Sequence, residues 1–296
     1  MSSFRPVNGS LLRSIVVMSA VLVLAGCLRI SSEADGGPGG AGGAGGAGGA
    51  GGFGTSGRGG APGADGAPGA DGAPGWNVGA RMGDAGSGRP ATRQVAATGV
   101  TRVMIEDGFS GRIRFGGPER ATIGADDNLL DRVEATVTGT ELRVGLRPGT
   151  TVDQATLTVD VTIQNLNHLA LHGSSRVHLD GATGTDLTLV INGSSRVDGS
   201  LAVRRLELDA SGAGAAQLSG QAPNVRVTAT GASEFALSQL VASEVDVTLS
   251  GTSSGTVAAS RTLSARADGA SHLRYLGDPR ITERSAAEAS TISASP

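Results

Sequence analysis

The sequence predicts an all-β fold: a parallel β-solenoid (β-helix) of short coils of about 19 residues, preceded by a disordered Gly-rich tether. Three observations predict it. Glycines recur at Gly173, Gly193, Gly212, Gly231, Gly251 and Gly269, with spacings of 20, 19, 19, 20 and 18 residues. Apolar residues alternate on both sides of each of these glycines, which is strand periodicity, and no stretch carries Leu at helical spacing. Aromatic residues make up only 2% of the chain, so its core has to be assembled from Val, Leu, Ile and Ala.

The composition also excludes some functions. All 24 basic residues among the 296 are Arg, and 27 acidic residues offset them without a basic block. That balance gives no electrostatic footprint for nucleic acid. A single cysteine makes no internal disulfide, and no cofactor-binding motif is present.

Residues 1–26 read as an export signal. Arg5 and Arg13 precede the apolar run Ile15 to Leu24, and small residues follow. A run of about ten apolar residues is too short to span a bilayer, which needs ~20 in helical form. Leu24-Ala25-Gly26-Cys27 resembles the lipobox of bacterial lipoproteins. The resemblance implies that Cys27 is diacylated and becomes the mature N-terminus, so that lipid on Cys27 is the membrane partner. Leu28, where retained lipoproteins carry Asp, implies the outer membrane.

Residues 27–98 read as a spacer. Every third residue from Gly36 to Gly75 is Gly, a collagen-like period. Two readings follow from it. Only Pro38, Pro62, Pro68 and Pro74 stiffen the tract, and many triplets hold two glycines, which favours a flexible, low-complexity tether reaching some 45 Å at ~5–6 Å × √n. A triple helix over Gly60–Gly75 would instead make the protein a trimer. Trp76 stands at the exit.

Residues 99–296 form the head. Four residues before the recurring glycines stand Leu169, Leu189, Leu208, Val227, Val247 and Ala265. Two residues after them stand Ser175, Ser195, Gly214, Ser233, Ser253 and Ser271. Each unit is thus strand, Gly turn and strand, too short to bury its own apolar face. Stacking at ~4.8 Å per coil would align equal positions into ladders. A final unit with Glu288 in the glycine's place marks the last coil. Residues 100–163 read as antiparallel or irregular strands that begin the same stack, with turns at Asp107-Gly108 and Thr138-Gly139.

The segments Asp127-Asn128-Leu129-Leu130-Asp131, Val133 to Val137 and Gly139 to Val144, followed by the ladder of Ser-Gly turns, resemble the bacterial family called "putative auto-transporter adhesin, head GIN domain", over roughly residues 100–290. The resemblance implies a β-solenoid and an adhesin-like role. Relatives tend to show Ser-Gly-Ser-Gly in each coil. This chain keeps Ser211-Gly212-Ala213-Gly214 and Ser250-Gly251-Thr252-Ser253 and drifts elsewhere.

Three constellations carry chemistry on paper. Gly251-Thr252-Ser253-Ser254-Gly255 fits G-x-S-x-G, with Asp268 and His272 downstream, but that motif needs a strand-to-helix elbow. His168 and His172 alternate with Leu169 and Leu171 and lie ~13 Å apart on an extended strand, too far to share a metal ion. Arg176 and Arg196 fall in the same slot of adjacent coils and form a possible ligand surface for carboxylates of an acidic glycan, unless Asp180, Asp198 or Glu207 neutralises them. The sequence therefore points to a non-catalytic binding or adhesion module in the cell envelope, with a cell-surface glycan or protein as partner. A purely structural envelope lipoprotein and a polysaccharide-acting enzyme are the alternatives.

Overall fold

The computed structural model describes residues 83–295. The expected export signal, Cys27, the Gly tract and Trp76 lie outside the described residues. The described chain is a parallel β-solenoid of about seven turns. Its helical content is one 3₁₀ turn, Leu130–Arg132.

The predicted ladders are present. Leu142, Val103, Leu169, Leu189, Leu208, Val227, Val247 and Ala265 are register partners in successive strands. All of them are buried. Complete burial of each Leu or Val stabilises by roughly 1.5–3 kcal/mol, the contribution a lone coil lacks. The opposite sheet carries Val159, Gly111, Val177, Val197, Ala216, Phe235, Gly255, Leu273 and Ile292 in one column. In that column large and small residues alternate where needed: a Cβ on Gly255 would lie 2.0 Å from the Phe235 ring. Gly255, the last residue of the G-x-S-x-G match, is there to make room for Phe235.

The turns stack as tightly as the strands. All six recurring glycines have φ between +73° and +79°. From Gly193 onward, an added Cβ would meet the carbonyl oxygen of the glycine one coil earlier at 2.5–3.0 Å. That oxygen accepts an N–H from the next coil, as in Ser194 to Gly173 at 2.7 Å and Ala232 to Gly212 at 2.6 Å. Ser175, Ser195, Ser233, Ser253 and Ser271 are buried inside the turns. The hydroxyls of Ser175, Ser233 and Ser253 donate to the carbonyls of His172, Thr230 and Ser250 at 2.9–3.0 Å.

The order of the stack departs from the order of the chain. The first turn, Arg102–Ile105 with Ser110–Phe115, lies between Glu141–Leu146 with Leu157–Ile163 on one side and His168–Leu171 with the start of Arg176–Ile191 on the other. The segment thus includes parallel pairings across long sequence separations. Antiparallel strands do occur, as expected, but only outermost: Val133–Thr138 against Glu141–Leu146, and Pro90–Ala96 against Arg120–Asp126, which in turn pairs with Leu157–Ile163. Pro90–Ala96 belongs to the head sheet, so the ordered head begins before the expected boundary at residue 99. Leu129 and Val133, both buried, close this end of the core.

Two strands, Arg176–Ile191 and Arg196–Ala210, run without a break from one sheet into the other, with a register shift beside Gly199 to Leu201. Later coils break instead. Pro223, which has no N–H, interrupts the corresponding stretch, and its carbonyl accepts from Ser243 and Glu244 at 2.9 Å.

Candidate functional site

Side chains that point outward from the second sheet form columns, just as the inward ones do. Arg176, Arg196, Ala215, Glu234, Ser254 and His272 share one column. Arg112, His178, Asp198, Gln217 and Ala236 share the next. Between them and the neighbouring residues runs a shallow groove of about 530 Å³, lined by Arg176, Arg196, Gln217 and Gln239, by His178 and Asp198, and by the hydroxyls of Ser200 and Ser219.

The structure brings Arg176 and Arg196 together as register partners, both exposed. The acids named in the sequence are occupied or elsewhere. Asp198 Oδ2 lies 2.5 Å from His178 Nδ1, and Asp180 Oδ1 lies 3.0 Å from His178 Nε2. Asp180 also faces Arg112 at 3.6 Å and Arg114 at 3.7 Å. Glu207 stands on the other sheet, in register with Thr188 and Arg226. Neither Arg176 nor Arg196 meets a carboxylate among the described residues. Two like charges directly across a strand pair repel, so this arrangement costs stability rather than adding to it.

A second groove, of about 560 Å³, crosses the other sheet. Acids and bases are interleaved along it; Arg226 pairs with Asp246 at 3.5 Å within the groove, and Glu244 pairs with Arg261, outside its lining, at 3.4 Å. Such partly exposed pairs are worth ~0.2–1 kcal/mol each and leave little net charge for a ligand.

The remaining sequence candidates do not converge. The Ser253 hydroxyl is buried and donates inward to the Ser250 carbonyl. Asp268 Oδ1 accepts the Gly269 N–H at 2.9 Å, and His272 Nδ1 lies 2.8 Å from Thr291 Oγ1. The G-x-S-x-G set therefore has no hydrogen bond among its three members. His172 faces Asn192 at 3.2 Å, one coil away. His168 is half-buried beside Arg102, and burial first, then that cation, lowers its pKa below the ordinary histidine value. Sequence reasoning missed Gln217, Gln239 and the serines of the groove. Reading the outward positions down the coil alignment would have found them, because they occupy the columns beside the arginines.

The profile of the family described as "putative auto-transporter adhesin, head GIN domain" matches residues 100–279. The chain belongs to this family. Its solved structural neighbours include a "putative adhesin" from Bacteroides fragilis, with 21% identity and a TM-score of 0.68 over 72% of this chain and 100% of that one. A "putative lipid binding protein" from Parabacteroides distasonis shares 15% identity with a TM-score of 0.58, over 72% of this chain and 99% of that one. A "putative adhesin" from the same species shares 16% identity with a TM-score of 0.56, at the same coverage. At these identities the neighbours establish the fold. No curated protein matches the chain.

Proposed function

We infer that this family member is a non-catalytic binding module of the cell envelope, and that it captures anionic groups on the groove marked by Arg176 and Arg196. The uncompensated arginine pair is the observation that carries this reading. Two guanidinium groups held one strand apart match carboxylates in bidentate fashion, and the ligand relieves the repulsion that the free protein bears. The adhesin and lipid-binding names of the structural neighbours agree with a binding role. Lipid on Cys27 would fix the chain to the outer membrane, and the Gly-rich tract would give the head its reach.

Binding of acidic oligosaccharides by the purified chain tests the groove. The double variant Arg176→Ala/Arg196→Ala loses binding while its thermal midpoint stays level or rises. Retained affinity in that variant, or a fall in midpoint, removes the arginines from the site. Mass spectrometry of the mature N-terminus tests the anchor, and an unmodified Cys27 refutes it.

A further inference from the structure

The groove has an acidic end as well as a basic one. In the column that runs from Arg176 and Arg196, the next coil contributes Ala215 and the one after it Glu234. Glu234 is exposed, and its carboxylate has no hydrogen-bond or ion-pair partner among the described residues. Ala215 leaves the place between the two charges empty. The space is a hollow of about 110 Å³, lined by Arg196, Ala215, Ala216, Gln217, Glu234 and Ala236. It adjoins the larger groove at Arg196, Gln217 and Ala236, which line both.

Arg196 and Glu234 thus face each other across two strand spacings, roughly 10 Å between backbones. Had the protein used them as an ion pair for stability, adjacent coils would have served. The pairs Arg102 with Glu141, at 3.1 Å, and Arg226 with Asp246, at 3.5 Å, show that pattern on the other sheet. Here the two charges are held apart by an alanine and left unpaired. A ligand that enters the hollow meets a donor fork on one side and an acceptor on the other. Carboxylate fits the guanidinium pair, and ammonium fits Glu234.

Between the charges the hollow is lined by the Gln217 amide and alanine methyls, and the groove it opens into adds the Gln239 amide, the hydroxyls of Ser200 and Ser219, and the His178 and Asp198 pair. A peptide segment would ask for apolar anchor pockets or a free strand edge, and the groove supplies neither. Hydroxyl and amide groups instead match the hydroxyls of sugars. We propose that the hollow between Arg196 and Glu234 recognises a zwitterionic glycan, a saccharide that carries a carboxylate and a free amino group on neighbouring positions. This inference rests on the arginine groove being the binding surface and adds the acidic half of its specificity.

The experiment uses the full chain and three oligosaccharide probes of matched length: carboxymethyl-chitosan with both charges, polygalacturonate with carboxylates alone, and chitosan with amines alone. Titration calorimetry is expected to rank the zwitterionic probe about tenfold above polygalacturonate. Glu234→Gln abolishes that preference and leaves polygalacturonate affinity unchanged or raised, whereas Arg196→Ala weakens both. Added salt shrinks all of these differences, since the groove is open to solvent. Equal affinity for the two carboxylate probes, or a Glu234→Gln variant that keeps the preference, overturns the zwitterion inference and leaves the arginine groove standing. Failure of the unaltered chain to bind either carboxylate probe overturns both readings.

Discussion

The glycine turns of the solenoid and the two turns that flank them in the stack occupy the same place in the coil but solve it differently. From Gly173 to Gly269 the position is always glycine, with φ near +75° to +79° in all but Gly193, at +73°. The first turn puts Asp107 there at φ +58°, and the last described turn puts Glu288 there at φ +55°. Equivalence is set by backbone bonds: the His172 N–H donates to the Ile105 carbonyl, and the Ala289 N–H to the Gly269 carbonyl. The difference teaches that stacking on both sides, rather than the turn itself, imposes glycine. Below Asp107 the neighbouring layer presents Leu146 rather than a glycine turn, and the Asp107 carboxylate accepts the Leu146 N–H at 2.8 Å, so a side chain makes the bond that a turn carbonyl makes elsewhere. Above Glu288 no described coil pins the turn, which is free to relax toward the left-handed minimum at φ ≈ +57° that an L-residue tolerates.

The largest effect expected from this comparison is at an interior turn. Gly231→Ala combines the left-handed penalty with a contact 2.6 Å from the Gly212 oxygen and should cost about 3–4 kcal/mol in urea denaturation. A loss below about 1 kcal/mol would mean that the stack yields and that glycine is not demanded by it. Asp107→Ala should cost about 1–2 kcal/mol, because the Leu146 N–H loses its charged acceptor. Asp107→Gly, which relieves φ as it removes that bond, should cost less. Glu288→Gly should have the opposite sign to Gly231→Ala at the equivalent position and stabilise by up to about 1 kcal/mol. Destabilisation there would break the comparison.

The smallest effect is in pH dependence at the other strand. Burial, and then the Arg102 cation, hold the pKa of His168 in the folded state below the ordinary histidine value of 6.5, so the fold favours the neutral ring. Its contribution is complete above the unfolded-state value and is lost as pH falls from about 6.5 through the lower folded value. His168→Gln should flatten the stability profile in that window, measured by thermal midpoints between pH 7.5 and pH 4.5. An unchanged slope would show that His168 is as solvated in the fold as in the unfolded chain.

Much of this was legible in the sequence because a solenoid writes its vertical contacts as a horizontal period. Val227 above Leu208, Gly231 above Gly212 and Arg196 above Arg176 all follow from one alignment at about nineteen residues. The stacking order of the first turns was not legible. Val103 meets Leu169, sixty-six positions on, because the chain leaves to build the antiparallel end before returning, and no local repeat records that excursion. The short strand Pro90–Ala96 was hidden for a similar reason: its partner, Arg120–Asp126, is antiparallel and carries no repeat signature.

Period-two alternation and a fixed repeat leave one efficient way to bury Val and Leu, so the coil, its inward ladder and the pairing of like positions are written in the order of the residues. Which charges remain free emerges only once the coils are stacked in space. Asp180 and Asp198 stand as near to the arginines in sequence as any acid, yet His178, Arg112 and Arg114 claim them, and Glu207 follows its strand to the opposite sheet. Long side chains choose among neighbours on three strands at once, and that choice depends on distances which a linear pattern does not contain.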